Sequence, residues 1–327
     1  MQFRPHRFLV NPHAQTLYGA LVRRTPRIDW RREPIELPDG DRLELDHAGP
    51  KSGRRALLIH GLGGSSDAPY IRGLADALLQ AGWSVTAVNL RGASTPNRLA
   101  RTYHAGDTAD LAFIAPRLRA TTAGAPLVAC GFSLGGNALL KLMGETGANA
   151  PFDAAVSVCA PLRLDLTAER LNTGLSRGYT AYLLAKLKLS LWRKRQLVKP
   201  HLDLVAAMRA TDFRTWDERV TAPLNGFASA DDYYTRSSAR GYLSTIARPT
   251  LILHAIDDPF MPSTVLPEPH ELSASVTLDA HPHGGHVGFA AHTDGSWSPA
   301  WFAEDRTLAF LSALTSLRST GSTGVRP

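Results

Sequence analysis

Apolar runs rich in β-branched residues alternate along this chain with segments of helical periodicity, and that alternation limits what it can fold into more than any other feature. The runs Arg42 to Asp46, Arg55 to His60, Trp83 to Leu90, Leu127 to Phe132, Ala154 to Ala160, Thr250 to His254 and Ser275 to Leu278 read as strands. Helical stretches fall near Tyr70 to Gln80, Thr108 to Ala120, Asn137 to Glu145 and Pro299 to Leu317. A run that is apolar throughout has no face to turn toward water, so such strands belong in a mostly parallel sheet with helices on both faces, an α/β fold. The rhythm breaks between Pro161 and about Ser244, a helix-rich basic stretch without a clear buried strand. We expect an N-terminal arm at 1–34, a first part of the core at 35–161, a helical cap insertion at 162–244, a second part of the core at 245–317 and a flexible tail at 318–327.

Composition excludes several classes. With 44% hydrophobic and 20% charged residues the chain is globular. Its cysteines, Cys130 and Cys159, both sit in apolar runs, which argues against a disulfide scaffold. The apolar part of MQFRPHRFLV is too short for a secretory signal, and no run approaches the ~18 residues of a spanning helix. A cytoplasmic location is the expectation. The net charge of +7 is concentrated: between Arg170 and Leu202 stand Arg170, Arg177, Lys186, Lys188, Arg193, Lys194, Arg195 and Lys199, with no acidic residue. These cations read as the solvated face of a packed helix. Alternatively the 183–199 segment makes weak membrane-surface contact, since Leu183, Leu184, Leu187 and Leu191 recur at helical spacing beside Trp192. No nucleic-acid-binding module accompanies the charge, so no nucleic-acid partner is expected.

The chemistry centres on Gly131-Phe132-Ser133-Leu134-Gly135, which follows the strand-like LVAC and opens a helical segment. A G-x-S-x-G string arises by chance in about one chain in ten of this length, so its position carries the argument. At a strand-to-helix junction it has the context of a nucleophile elbow, a tight turn whose flanking residues must be small. A serine hydroxyl is a poor nucleophile near neutral pH, so Ser133 needs a base and a group that orients the base. The strand ending at His254 leads into Asp257-Asp258-Pro259-Phe260-Met261-Pro262, and Asp258 is the expected acid with Asp257 as the alternative. The next loop, His281-Pro282-His283-Gly284-Gly285-His286-Val287-Gly288-Phe289, supplies the base. His286 is preferred to His283, because the glycines around it leave the loop free to bring the ring up to Ser133. The oxyanion donors are expected to be the amides of Leu62, in Gly61-Leu62-Gly63-Gly64 after the strand through His60, and of Leu134.

Rival chemistries fit less well. Gly61 to Ser66 follows a strand as a dinucleotide fingerprint does, but Ser66 replaces its third glycine and Asn89 stands where a ribose-binding acid belongs. His281, His283 and His286 cluster without a zinc motif. No cofactor and no metal are expected.

Taken together, the motifs resemble those of the YheT-like α/β-hydrolases, an ABHD-type serine hydrolase and esterase family. The likeness runs through Asn11-Pro12-His13 with Gln15-Thr16, His60 to Gly64, Asn89-Leu90-Arg91-Gly92, Tyr103 to Thr108, Gly131 to Asn137, Phe227 to Tyr234, Asp257 to Met261 and His283 to Phe289. The resemblance implies the α/β-hydrolase fold with a helical cap. It also implies a Ser133, Asp258 (or Asp257), His286 triad acting on small-molecule carboxylic esters of short- to medium-chain acyl groups or lipids. The alternative is a non-catalytic, cap-bearing lipid or small-molecule binding protein of the same fold.

Overall fold

The computed structural model describes residues 1–320, with side chains as far as Leu314. The chain opens with α1 (Pro12–Leu17), whose first amides are capped by the Asn11 side chain, and a π-turn at Tyr18–Val22. Six strands then precede the insertion: β1 (Arg31–Glu36), β2 (Arg42–Ala48), β3 (Arg55–Ile59), β4 (Ser84–Asn89), β5 (Leu127–Phe132) and β6 (Ala154–Val158). Three helices connect them: α2 (Pro69–Gln80) after β3, α3 (Ala109–Ala120) after β4 and α4 (Leu134–Thr146) after β5. The stretch between β6 and β7 folds into α5 (Leu164–Leu171), α6 (Ser176–Arg193), α7 (Arg195–Val198), α8 (Leu204–Met208), α9 (Phe213–Trp216), α10 (Ala222–Asn225) and α11 (Ala230–Ser237). The sheet resumes with β7 (Thr250–Ala255) and β8 (Val276–His281). A short ribbon of β9 (Ala290–Ala291) and β10 (Ala300–Trp301) leads to α12 (Phe302–Thr320).

The sheet runs β1-β2-β4-β3-β5-β6-β7-β8, antiparallel at β1/β2 and β2/β4 and parallel from β4 onward. Every residue of β3, β4, β5, β6 and β7 is buried, as strands covered on both faces must be. Two apolar cores lie on either side of the sheet, one beneath the inserted helices and α4, the other against α2 and α12. β1 lies in the segment assigned in large part to the arm. Its sequence RREPIE buries only Ile35, and Pro34 suits an edge strand, so neither apolarity nor alternation marks it. Of the tail expected at 318–327, residues 318–320 continue α12 and 321–327 lie outside the described residues.

The parallel strands all present their C-terminal ends to one edge, where β5 ends at Ser133, β7 leads to Asp258 and β8 leads to His286.

Candidate active site

At the end of β5, Ser133 adopts φ 50° and ψ −122°, a left-handed conformation costly for any residue but glycine. The turn survives because its neighbours are small. A Cβ on Gly131 would stand 2.5 Å from the Gly135 carbonyl oxygen, and one on Gly135 would stand 2.5 Å from the His60 carbonyl oxygen. Ser133 thus projects from the edge of the sheet at the N-terminus of α4.

The imidazole of His286 faces it. Nε2 lies 3.0 Å from Ser133 Oγ, and Nδ1 lies 2.8 Å from Asp258 Oδ2. The Asp258 side chain is fully buried and its second oxygen accepts the Phe260 amide at 2.8 Å. With Asp258 oriented in this way the ring carries its proton on Nδ1, leaving Nε2 to accept from the serine. The Phe260 ring stacks on the imidazole at 3.9 Å between centroids and 7° between planes, fixing its plane. Asp257 turns elsewhere, facing His283 Nδ1 at 3.2 Å and accepting the Gly285 amide at 3.0 Å. The two adjacent aspartates are thereby separated by geometry.

The loop around His286 is fixed rather than free, a correction to the reading that its glycines supply freedom. Three consecutive amides are held: Gly285 by Asp257, His286 by Thr16 Oγ1 at 2.9 Å and Val287 by Cys159 Sγ at 3.4 Å. The glycines serve close packing. Gly284 and Gly285 have φ of 148° and 60°, and a Cβ on Gly285 would stand 2.5 Å from the Pro12 carbonyl oxygen. Phe260, Thr16 and Cys159 are residues for which sequence reasoning assigned no role at the site. Thr16 lies in the Asn11 to Thr16 motif that carried the family likeness, and that was the available signal.

Across the site, of the four amides from Gly61 to Gly64 in the loop after β3, that of Leu62 is unengaged. The Gly61 amide donates to Tyr70 Oη at 3.0 Å, Gly63 to Tyr103 Oη at 2.7 Å and Gly64 to the Gly61 carbonyl at 3.1 Å. Among the described residues the amides of Leu62 and Leu134 donate to no partner. Burial pushes both tyrosines up to about 12, so their hydroxyls stay neutral. His60, buried and held down to about 4, donates Nδ1–H to the Gly61 carbonyl at 2.7 Å and accepts the Leu90 amide at 3.2 Å.

The dinucleotide resemblance of this loop has a structural explanation. Ser66 donates to Asp46 at 2.6 Å, its amide reaches Asn89 at 2.9 Å, and Asn89 itself donates to Asp46 at 2.8 Å. The histidine cluster likewise disperses, since His281 faces Asp279, His283 faces Asp257 and His286 faces Asp258. Cys159, Asp258 and His286 do bring one ligand-type atom each within 4.8 Å. Both imidazole nitrogens there are engaged with Asp258 and Ser133, and burial raises the Cys159 thiol well above its ordinary range.

A cavity of about 930 Å³ opens over Ser133 and His286, walled largely by apolar side chains of the inserted helices such as Leu164, Leu171, Leu187, Leu191 and Trp216. Leu184 and Leu191, which only the alternative reading of the segment set against a membrane surface, are 2% exposed and face the core, and Lys194, among the cations read as a solvated face, is buried against Asn97 Oδ1 at 2.6 Å. Among the described residues no helix is long and apolar enough to cross a membrane.

Comparison with known proteins agrees with this architecture. Residues 57–293 match the family model of the α/β-hydrolase fold. The chain is 40% identical over 301 residues to YheT of Escherichia coli (strain K12), covering 89% of this chain and 88% of that protein. It is 30% identical over 295 residues to phospholipase ABHD3 of Mus musculus, covering 86% and 71% respectively. Among solved structures, the Pyrococcus furiosus esterase Pf2001 superposes with a TM-score of 0.56 at 17% identity, over 96% of this chain and 98% of that one, a likeness of fold. The chain belongs to the α/β-hydrolase family, in its YheT-like branch.

Proposed function

We propose that this protein is a serine hydrolase that cleaves carboxylic esters through an acyl-enzyme on Ser133. The observation that carries the reading is the relay Ser133 Oγ, His286 Nε2, His286 Nδ1, Asp258 Oδ2, with links of 3.0 and 2.8 Å, at the floor of an apolar cavity. Ser133 Oγ attacks the ester carbonyl carbon as its proton passes to His286 Nε2, and Asp258 stabilises the imidazolium. The amides of Leu62 and Leu134 donate to the resulting oxyanion, an interaction worth about 3 kcal/mol per donor in such sites. Collapse of the tetrahedral intermediate breaks the bond to the alcohol, which takes the proton from Nε2. Water, deprotonated by His286, then attacks the acyl carbon and restores Ser133. These steps call for no metal or organic cofactor.

The cavity's largely apolar wall suits an acyl chain, so short- to medium-chain acyl esters serve as test substrates and lipid esters fit the same space. The name of the relative ABHD3, a phospholipase, supports lipid esters as a class. The test is labelling with a fluorophosphonate probe. Wild type is expected to label and to hydrolyse p-nitrophenyl butyrate, and Ser133→Ala to do neither. Labelling that persists in the variant overturns the assignment.

A further inference from the structure

The outward face of α6 carries large apolar side chains. Leu175, just before the helix, Gly178, Tyr182, Ala185, Leu189 and Trp192 recur at alternating spacings of three and four, so they form one stripe, and every one of them is exposed. The large members are 77% (Leu175), 58% (Tyr182), 52% (Leu189) and 49% (Trp192) exposed. The opposite face, Ser176, Thr180, Leu184 and Leu191, is buried against the core. At 3.6 residues per turn, Lys186 and Arg193 fall along one side of the stripe and Arg177 and Lys188 along the other. Among the described residues none of these four cations pairs with a carboxylate.

The stripe continues to the cavity mouth. Leu175, Gly178 and Tyr182 line the cavity that holds Ser133, as do Leu17 and Leu21 from the arm. Leu17, Leu21 and Val22 are themselves exposed, which extends the apolar surface to the other side of the mouth. Apolar side chains flanked by cations that no carboxylate neutralises, Lys186 donating instead to the Gly63 carbonyl at 2.8 Å, complement a surface that is apolar beneath and anionic above.

We propose that this face of α6, with Leu17, Leu21 and Val22, docks the protein onto anionic lipid surfaces and sets the cavity mouth against them. Charge selects this occupant over a second copy of the chain. Two copies meeting through α6 would press together segments that carry eight cations and no acid between Arg170 and Leu202. Docking rests on this surface alone; that an ester then enters the cavity from the lipid rests on the hydrolase reading above.

The experiment measures co-sedimentation of the full chain with sucrose-loaded vesicles of phosphatidylcholine, alone or mixed with phosphatidylglycerol, beside hydrolysis of soluble p-nitrophenyl butyrate. Wild type should bind the anionic vesicles and lose them at high salt. The double variant L189E/W192E, altered at positions outside the cavity lining, should bind about tenfold more weakly or worse. R177Q/R193Q should bind about 30-fold more weakly, as two cations at about 1 kcal/mol each imply. Both variants should keep wild-type turnover of the soluble ester. Three results overturn docking: equal or absent binding to the two vesicle types, variants that bind as wild type does, or light scattering in which wild type is a dimer and L189E/W192E a monomer. Anionic-vesicle binding by a wild type that hydrolyses no ester would instead sink the hydrolase reading and leave docking standing.

Discussion

Thr16 and His286, 270 positions apart in the chain, are joined by a hydrogen bond from the His286 amide to the Thr16 hydroxyl at 2.9 Å. The same hydroxyl donates to the Pro12 carbonyl at 2.8 Å, so α1 holds the backbone of the loop that carries His286. Gln15 completes the attachment. Its amide nitrogen donates to the carbonyls of Leu9 and Ala290 at 2.6 and 3.1 Å, and its oxygen accepts the Ala290 amide at 2.7 Å. The arm is therefore part of the site.

Replacing Thr16 by valine keeps the shape and removes the acceptor. We expect kcat/KM to fall about tenfold through misplacement of His286, with little change in unfolding. Gln15→Ala leaves the buried Ala290 amide without its acceptor, while the Ala290 carbonyl keeps the His6 amide at 2.9 Å, and should cost about 1–3 kcal/mol of stability. Steady-state kinetics and urea unfolding of both variants check this; a Thr16→Val enzyme with unchanged kcat/KM would deny the arm its positioning role.

The adjacent aspartates should separate cleanly by mutation. Asp258→Asn removes the group that sets the imidazole tautomer, and kcat should fall by about 10⁴. Asp257→Asn alters only the tether to Gly285 and the contact with His283, so the loss should stay under about tenfold. Equal losses in the two variants would contradict the division of roles drawn from the distances.

Much of this architecture was readable from the residues alone, and where it was not the reasons are physical. The central strands are buried on both faces, so their apolar runs announced them. β1 buries a single side chain and left no comparable mark. Ser133, Asp258 and His286 could be proposed because the elbow and the order acid-then-histidine have local signatures. Phe260, Thr16 and Cys159 act through contacts that no spacing encodes. Several motif residues proved to be braces: Arg91 pairs with Asp39, Asp41 and Asp110, and the Asn137 side chain spans Ala105, Ser237 and Ala239. The orientation of α6 could not be read from sequence, because both of its faces carry apolar residues at helical spacing.

The elbow glycines should tolerate nothing larger. An alanine at position 135 would place its Cβ 2.5 Å from the His60 carbonyl oxygen and 2.7 Å from Ile59, against the buried end of β3. Gly135→Ala should therefore cost about 1–3 kcal/mol and displace the loop bearing Leu62, lowering kcat more than stability alone explains. Gly241, whose added Cβ meets nothing within 4 Å, is the matched control and should be silent as alanine. Thermal unfolding and turnover of the pair decide the matter.

Three buried histidines should each make the fold less stable on acidification. Burial lowers His60 and His254 to about 4 and His104 to about 3, whereas an unfolded histidine titrates near ~6.5. The unfolded chain therefore takes up these protons first, so their contribution is present in full above ~6.5 and drains away as pH falls toward 4. Buried carboxyls, Glu304 among them, act in the opposite sense. Burial raises Asp217 to about 7, and burial together with Asp110 raises Asp107, so the folded state holds their protons longer and each favours folding less as pH rises. The observed slope is the balance of the two sets, so it is read most cleanly by removing one group at a time. Asp217→Asn removes one opposing group while an amide can still meet the hydroxyls of Thr221 and Tyr234. It should make the fall in stability on acidification steeper and raise stability at alkaline pH by about 1 kcal/mol or more. Urea unfolding across the pH range measures both, and a variant less stable than wild type at pH 8 would show that Asp217 is ionised and favourably paired rather than held protonated.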